Sequence, residues 1–172
     1  MEQPTTSARV ALKFGLITGV ILMIHSVAII VTEQYMNSWL STPIQLIVIS
    51  ICMVLAMKEF KAGNDGYMSY GQGLGIGTLM GAVSGVLLSI YSYVYNEFID
   101  PNLKTNILNK VREQFETQGM SDDQIDSVME ISSRYSSPGF TFIGTVLWII
   151  ILGFLVSLIV SAFQKKEKPA FD

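Results

Sequence analysis

The sequence predicts an all-α membrane protein with four transmembrane helices and an extracytoplasmic helical hairpin between the third and the fourth. Half of its 172 residues are hydrophobic and only 15% are charged, whereas soluble domains carry about a quarter charged residues. Four apolar segments, at 10–31, 40–57, 71–95 and 140–163, approach or exceed the ~20 helical residues that cross a bilayer. Residues 1–172 are therefore predicted to form a single integral membrane domain.

These segments are predicted to be helices because lipid offers no partner for an unpaired backbone group, and the alternating pattern of a membrane β-barrel is absent. The 40–57 segment is the shortest. It spans the membrane fully only if Trp39 lies in the outer interface and Lys58 snorkels at the inner one.

Basic residues predict the orientation of the chain. Seven Lys and Arg residues flank one side of the predicted bundle, at the N-terminal segment, the 58–70 loop and the C-terminal tail. The opposite side has four, spread over 96–138 among eight acidic residues. The positive-inside rule therefore predicts that both termini are cytoplasmic and that 96–138 lies outside.

The 96–138 segment is predicted to form a hairpin of two amphipathic helices. Apolar residues recur at helical spacing in its first half, Gly119 stands at a predicted C-cap, and Ser121 to Gln124 has the form of a capping box. The predicted apolar faces comprise Leu103, Ile107, Leu108, Val111 and Phe115 in the first helix and Ile125, Val128, Met129 and Tyr135 in the second. The hairpin either caps the bundle or docks a partner or solute, and its acidic excess argues against nucleic acid.

A run of glycines, GQGLGIGTLMGAVSG at 71–85, is predicted to be a helix face and not a phosphate-binding loop. No G-x-G-x-x-G occurs, and no lysine follows any of these glycines before Lys104. Small residues instead recur every four positions in three predicted spans, which lets helix backbones approach closely in lipid. These positions are Ser69, Gly73, Gly77, Gly81, Gly85 and Ser89; Ala11, Gly15 and Gly19; and Gly153, Ser157 and Ser161.

We call these three sets the small-residue seams. Four arrangements are compatible with them. The seams can pack against each other in one chain, against a second copy or against another membrane protein, or they can line a pore. The sequence does not distinguish these arrangements.

His25 is the only histidine and the only ionisable residue well inside a predicted span. Such residues are candidates for function, although a neutral imidazole can also simply hydrogen-bond a neighbouring helix. No catalytic, metal or cofactor site is predicted: Ser84 lacks the G-x-S-x-G elbow because Ala82 replaces its first glycine, and no H-E-x-x-H occurs. One cysteine, Cys52, allows no internal disulfide.

Several motifs resemble a known family. They are Lys13 to Gly19 (KFGLITG), Asp65 to Gly73 (DGYMSYGQG), Ile99 to Pro101 (IDP), Met120 to Ile125 (MSDDQI) and the closing Lys165-Lys166. Together they resemble the bacterial domain of unknown function 4199 (DUF4199), found mainly in Bacteroidota. The resemblance implies a four-helix protein of the bacterial inner membrane, and it implies no activity, cofactor or catalytic residue.

The sequence therefore predicts a non-enzymatic interaction or accessory subunit that packs through its small-residue seams. The alternative is a subunit of a small-solute or ion transporter or channel. The expected partners are the lipid bilayer and either another membrane protein or a second copy, with no nucleic acid.

Overall fold

The structure, a computed structural model, describes residues 6–34 and 38–168, and the elements within these ranges are helical. An antiparallel β-bridge joins Met68 to Lys166. In chain order the helices are α1 (Ser7–Val31), α2 (Ser38–Ala62), α3 (Tyr70–Val94) with a π-helical continuation (Tyr95–Ile99), α4 (Leu103–Thr117), α5 (Asp122–Tyr135) and α6 (Pro138–Gln164).

Four of these helices are long and apolar enough to cross a membrane: α1, α2, α3 with its π-helical continuation, and α6. The predicted all-α fold with four membrane-spanning helices is confirmed. Helix α2 is longer than the predicted 40–57 segment, since it continues for more than a turn beyond Lys58 to Ala62. Its last turns are stabilised by partners on other helices: Glu59 pairs with Lys13 of α1, and Lys61 binds Gln164 of α6.

The base of the bundle, where α1 and α3 begin and α2 and α6 end, is tied together by polar contacts. Lys13 Nζ lies 2.6 Å from Glu59 Oε2. Lys61 Nζ donates to the carbonyl oxygen of Gln164 at 3.1 Å and to its Oε1 at 2.7 Å. The 68–166 bridge adds two backbone hydrogen bonds of 2.9 Å. These contacts hold the ends of all four long helices together.

The opposite end, which we call the far end, is more open. Buried positions lie at 10–22 in α1, 49–60 in α2 and 149–161 in α6, all within the two-thirds of the helix nearer the base. In α3 the buried positions extend further towards the far end, from 73 to 89. Among the described residues of α1 and α2 beyond these limits, none is fully buried. The four helices therefore pack most closely near the base, and α1 and α2 are less buried towards the far end.

Helices α4 and α5 occupy the far end, between the end of α3 and the start of α6. Gly119 takes a φ of +78° after α4, as a C-terminal glycine does, and the Ser121 amide donates to Gln124 Oε1 at 3.1 Å. Ile125 is buried, but Tyr135, predicted for the same apolar face, is 63% exposed. Its ring instead packs edge-on against Phe140 of α6, with centroids 5.5 Å apart.

Candidate functional site

The glycines of the α3 seam lie against α6. A Cβ built on Gly81 would stand 2.9 Å from the carbonyl oxygen of Ile149, and one on Gly85 would stand 3.2 Å from Val146 Cα. Because these neighbours are backbone atoms, neither can be displaced by a change of side-chain rotamer. In membranes such contact supplies the van der Waals attraction that apolar burial does not.

Nearer the base, α3 meets the small residues of α6. A Cβ on Gly73 would lie 2.8 Å from Ser161 Cβ, and one on Gly77 would lie 3.0 Å from Ser157 Oγ. Conversely, a Cβ on Gly153 would lie 2.9 Å from the carbonyl oxygen of Gly77. The α3 and α6 seams are thus packed against each other within one chain.

The two ends of the α3 seam behave differently from its glycines. Ser89 is buried and donates through Oγ to the carbonyl oxygen of Phe142 at 3.1 Å, which links α3 to α6. Ser69 is not a member of the helix. It is the N-cap of α3, and its Oγ accepts from the Gln72 amide at 3.2 Å.

The α1 seam packs against a different side of α3. A Cβ on Gly15 would lie 2.7 Å from Val83 Cβ, and one on Gly19 would lie 2.7 Å from Leu87 Cδ2. Ala11 is fully buried. Large side chains of α3 thus pack against the glycines of α1, whereas the backbone and the serines of α6 pack against the glycines of α3. All three seams are covered within the chain, so a partner protein would have to use another surface.

The second feature singled out by sequence, His25, lines a cavity of about 450 Å³ between α1, α2, α3 and α6. We call it the inner cavity. The buried side chains of Leu22, Leu88 and Ile149 line it on the side of the base. Towards the base the core continues with Met53 and other buried apolar residues. The cavity is therefore closed towards the base.

Hydrogen-bonding side chains from all four long helices line the inner cavity. They are His25 and Ser26 of α1, Ser41 and Gln45 of α2, Ser92 of α3, and Thr145 and Trp148 of α6. Within the described part of the chain, no Asp, Glu, Lys or Arg lines it. His25 Nε2 is buried and has no hydrogen-bond partner among the described residues. That nitrogen does not make the bond to a neighbouring helix that the sequence allowed as an alternative.

A second cavity of about 230 Å³, the outer cavity, lies between the far end of α3, α4 and the start of α6. It shares Ser92 and Thr145 with the inner cavity. Glu97 and Lys104, both exposed, line it on the outer side. Polar side chains therefore run from the protein surface beside α4, past Ser92 and Thr145, to the surroundings of His25.

Helix α4 is tied to the end of α1 beside these cavities. Lys110 Nζ lies 2.6 Å from Glu33 Oε2. This hydrogen bond and the positive charge of Lys110 hold the pKa of the Glu33 carboxyl below its usual value. Glu33 is exposed and connects the end of α1 to α4.

His25 stands out in the sequence by its residue type, but its proximity to Gln45, Ser41 and Thr145 is not visible there. A signal was present, since Gln45 is the only side-chain amide in the 40–57 segment and Ser41 precedes it by one helical turn. Which side of α2 these residues face depends on helix packing and cannot be read from the apolar run alone. Among the residues that the structure describes, no group of three His, Cys, Asp or Glu is placed to hold a metal.

The fold and the cavities define a class: a four-helix membrane bundle, closed at its base and open to a polar cavity at its far end. The chain belongs to the family described as protein of unknown function (DUF4199), whose model matches residues 13–166. The resemblance seen in the sequence motifs is confirmed. No curated protein and no solved structure matches the chain.

Proposed function

We propose that the protein is a non-enzymatic component of a membrane transport system that binds a small solute in its inner cavity. One observation carries the proposal: hydrogen-bonding side chains from all four long helices line one cavity that is closed on the side of the base. Binding sites of membrane transporters commonly lie between helices within the bilayer. Because the base is closed, this conformation supports binding at the far end without a continuous path to the base.

Polar side chains inside membrane helices favour this function over simple packing. A hydrogen-bonding group placed in an apolar environment costs free energy unless it is paired. Ser84 is paired within its own helix and Ser89 with Phe142 of α6, whereas the buried hydroxyls of Thr18 and Tyr91 have no partner among the described residues. His25 Nε2 also has no partner among the described residues, and of these three residues only His25 lines the inner cavity. A bound solute that reorients the His25 side chain would supply a hydrogen-bond partner for this nitrogen.

The proposed orientation follows from the distribution of basic residues. With both termini cytoplasmic in a bacterial inner membrane, the base faces the cytoplasm and α4 and α5 are extracytoplasmic. The two cavities then face the extracytoplasmic side, so the solute would be taken from that side.

The runner-up is the interaction or accessory subunit expected from sequence. The small-residue seams give it little support, because they are covered within the chain. A specific observation favours another surface: Ile131 and Tyr135, one turn apart on α5 and outside the candidate spans, are 56% and 63% exposed. They offer a partner, or the membrane surface, an apolar contact.

Native mass spectrometry of the protein purified from its own membrane separates these functions. Solute binding predicts a small-molecule adduct that is lost in Gly144→Phe and kept in Gly75→Phe. Gly144 lines the inner cavity and Gly75 does not, and a Cβ at either position meets nothing within 4 Å. A co-purifying protein without any small-molecule adduct would instead support the accessory subunit.

A further inference from the structure

We infer that the inner cavity selects uncharged solutes that both donate and accept hydrogen bonds, such as amides and polyols, and that it rejects ions. This inference rests on the proposed function and specifies the chemistry of its solute. It follows from three properties of the cavity: the charge of its lining, the kind of polar group present, and its volume.

The lining offers no compensating charge for an ion. Of the described residues that line the inner cavity, His25 alone can ionise near neutral pH, and the base side is formed by Leu22, Leu88 and Ile149. An ion that leaves water for such surroundings loses its hydration without gaining an opposite charge. The charged residues that line the neighbouring outer cavity, Glu97 and Lys104, have opposite signs and are exposed. They do not favour anions over cations.

The polar groups of the lining suit a neutral solute. Hydroxyl and amide groups, which Ser41, Gln45, Ser92 and Thr145 supply, each both donate and accept hydrogen bonds, and neutral imidazole does the same through its two nitrogens. Amide and polyol solutes carry donors and acceptors on adjacent atoms. Such solutes can pair with this lining without leaving a charge unpaired, while the apolar side chains contact their carbon skeleton.

The volume is sufficient for such a solute. At about 450 Å³, the inner cavity lies within the range of ~300–1,000 Å³ that is usual for small-molecule sites. It far exceeds the ~30 Å³ that one water molecule occupies in the liquid. Trp148, which also lines it, provides a spectroscopic reporter at the site.

Tryptophan quenching in lipid nanodiscs tests the inference. The chain has two tryptophans, and Trp39→Phe leaves Trp148 as the only indole. The probes are acrylamide, a neutral amide, and the ions iodide and caesium. We expect the Stern–Volmer constant of acrylamide to exceed those of both ions several-fold. In the same background, Gly144→Phe should lower acrylamide quenching several-fold, and Gly75→Phe should leave it unchanged.

The contrary outcomes are distinguishable. If iodide or caesium quenches as strongly as acrylamide and Gly144→Phe suppresses that quenching, the cavity admits ions. The inference is then overturned, while solute binding stands. If Gly144→Phe leaves acrylamide quenching unchanged, Trp148 is reached by another route and the inference is overturned. If none of the three probes quenches Trp148, the cavity admits no solute and the proposed function fails with the inference.

Discussion

Replacing Gly81 by alanine is expected to destabilise the bundle, whereas the same replacement at Gly75 is not. A Cβ at position 81 would lie 2.9 Å from the carbonyl oxygen of Ile149 and 3.2 Å from Ile150 Cα. A Cβ at position 75 meets nothing within 4 Å. The two glycines are in the same helix, less than two turns apart, so the comparison isolates the contact with α6.

The magnitude follows from the geometry. Helices α3 and α6 must separate by about half an ångström to bring the Gly81→Ala contact to 3.4 Å, where ordinary van der Waals contact begins. Overpacking of this kind costs ~1–3 kcal/mol. Gly75→Ala adds no contact and, by the helix propensities measured in water, gains up to ~1 kcal/mol. Gly81→Ala gains the same helix propensity, so the two variants should differ in free energy of unfolding by the overpacking cost alone, ~1–3 kcal/mol.

Steric trapping or denaturant titration in micelles measures this difference, with far-ultraviolet circular dichroism as the control for helix content. Equal stabilities of Gly75→Ala and Gly81→Ala would refute the assignment of the α3–α6 contact. A concentration-dependent loss of stability in Gly81→Ala would instead show that the seam joins separate copies.

Two further predictions concern the far end. Ser89→Ala should lower the free energy of unfolding by ~0.6 kcal/mol, typical of an interhelical hydrogen bond in a membrane, because Ser89 Oγ donates to the carbonyl oxygen of Phe142 in α6. Ser84→Ala should lower it less in the same titration, because the Ser84 hydroxyl donates to the carbonyl oxygen of Met80 in its own helix. The Glu33 carboxyl, whose pKa Lys110 lowers, should stabilise the attachment of α4 above the ordinary carboxyl pKa and lose this effect as pH falls through the lowered value. On acidification, the unfolding temperature of the wild type should therefore fall more than that of Glu33→Gln. An equal fall of the two unfolding temperatures would contradict this.

The long helices were predictable because their signal is local. Composition and the length of each apolar run identify a membrane helix without reference to any other part of the chain. The four-residue recurrence of Gly73, Gly77, Gly81 and Gly85 likewise defines one face of one helix. The structure places α6 against that face.

The partner of that face could not be predicted, because the seams of α1 and α6 have the same four-residue spacing in sequence. The two seams differ in which atoms of α3 pack against them. Val83 and Leu87 of α3 fill the space over the glycines of α1, while the bare backbone of α3 meets α6 directly. The continuation of α2 past Lys58 was also missed, because it depends on distant partners such as Gln164.

The inner cavity was beyond sequence analysis for a geometrical reason. Residues of four helices line it, and the space between helices that are distant in sequence is a property of the whole bundle. His25 could be singled out by its residue type. Its association with Gln45 and Thr145 required the relative positions of three helices.

Thiol labelling in nanodiscs tests the central claim, that the bundle is closed near the base and open at the far end. Thr145→Cys in a Cys52→Ala background places the only thiol at the junction of the two cavities. The wild type carries its single thiol at Cys52, buried in the closed half. A hydrophilic maleimide should modify the thiol at position 145 rapidly and leave Cys52 of the folded wild type unmodified. Equal rates at the two positions would contradict the account.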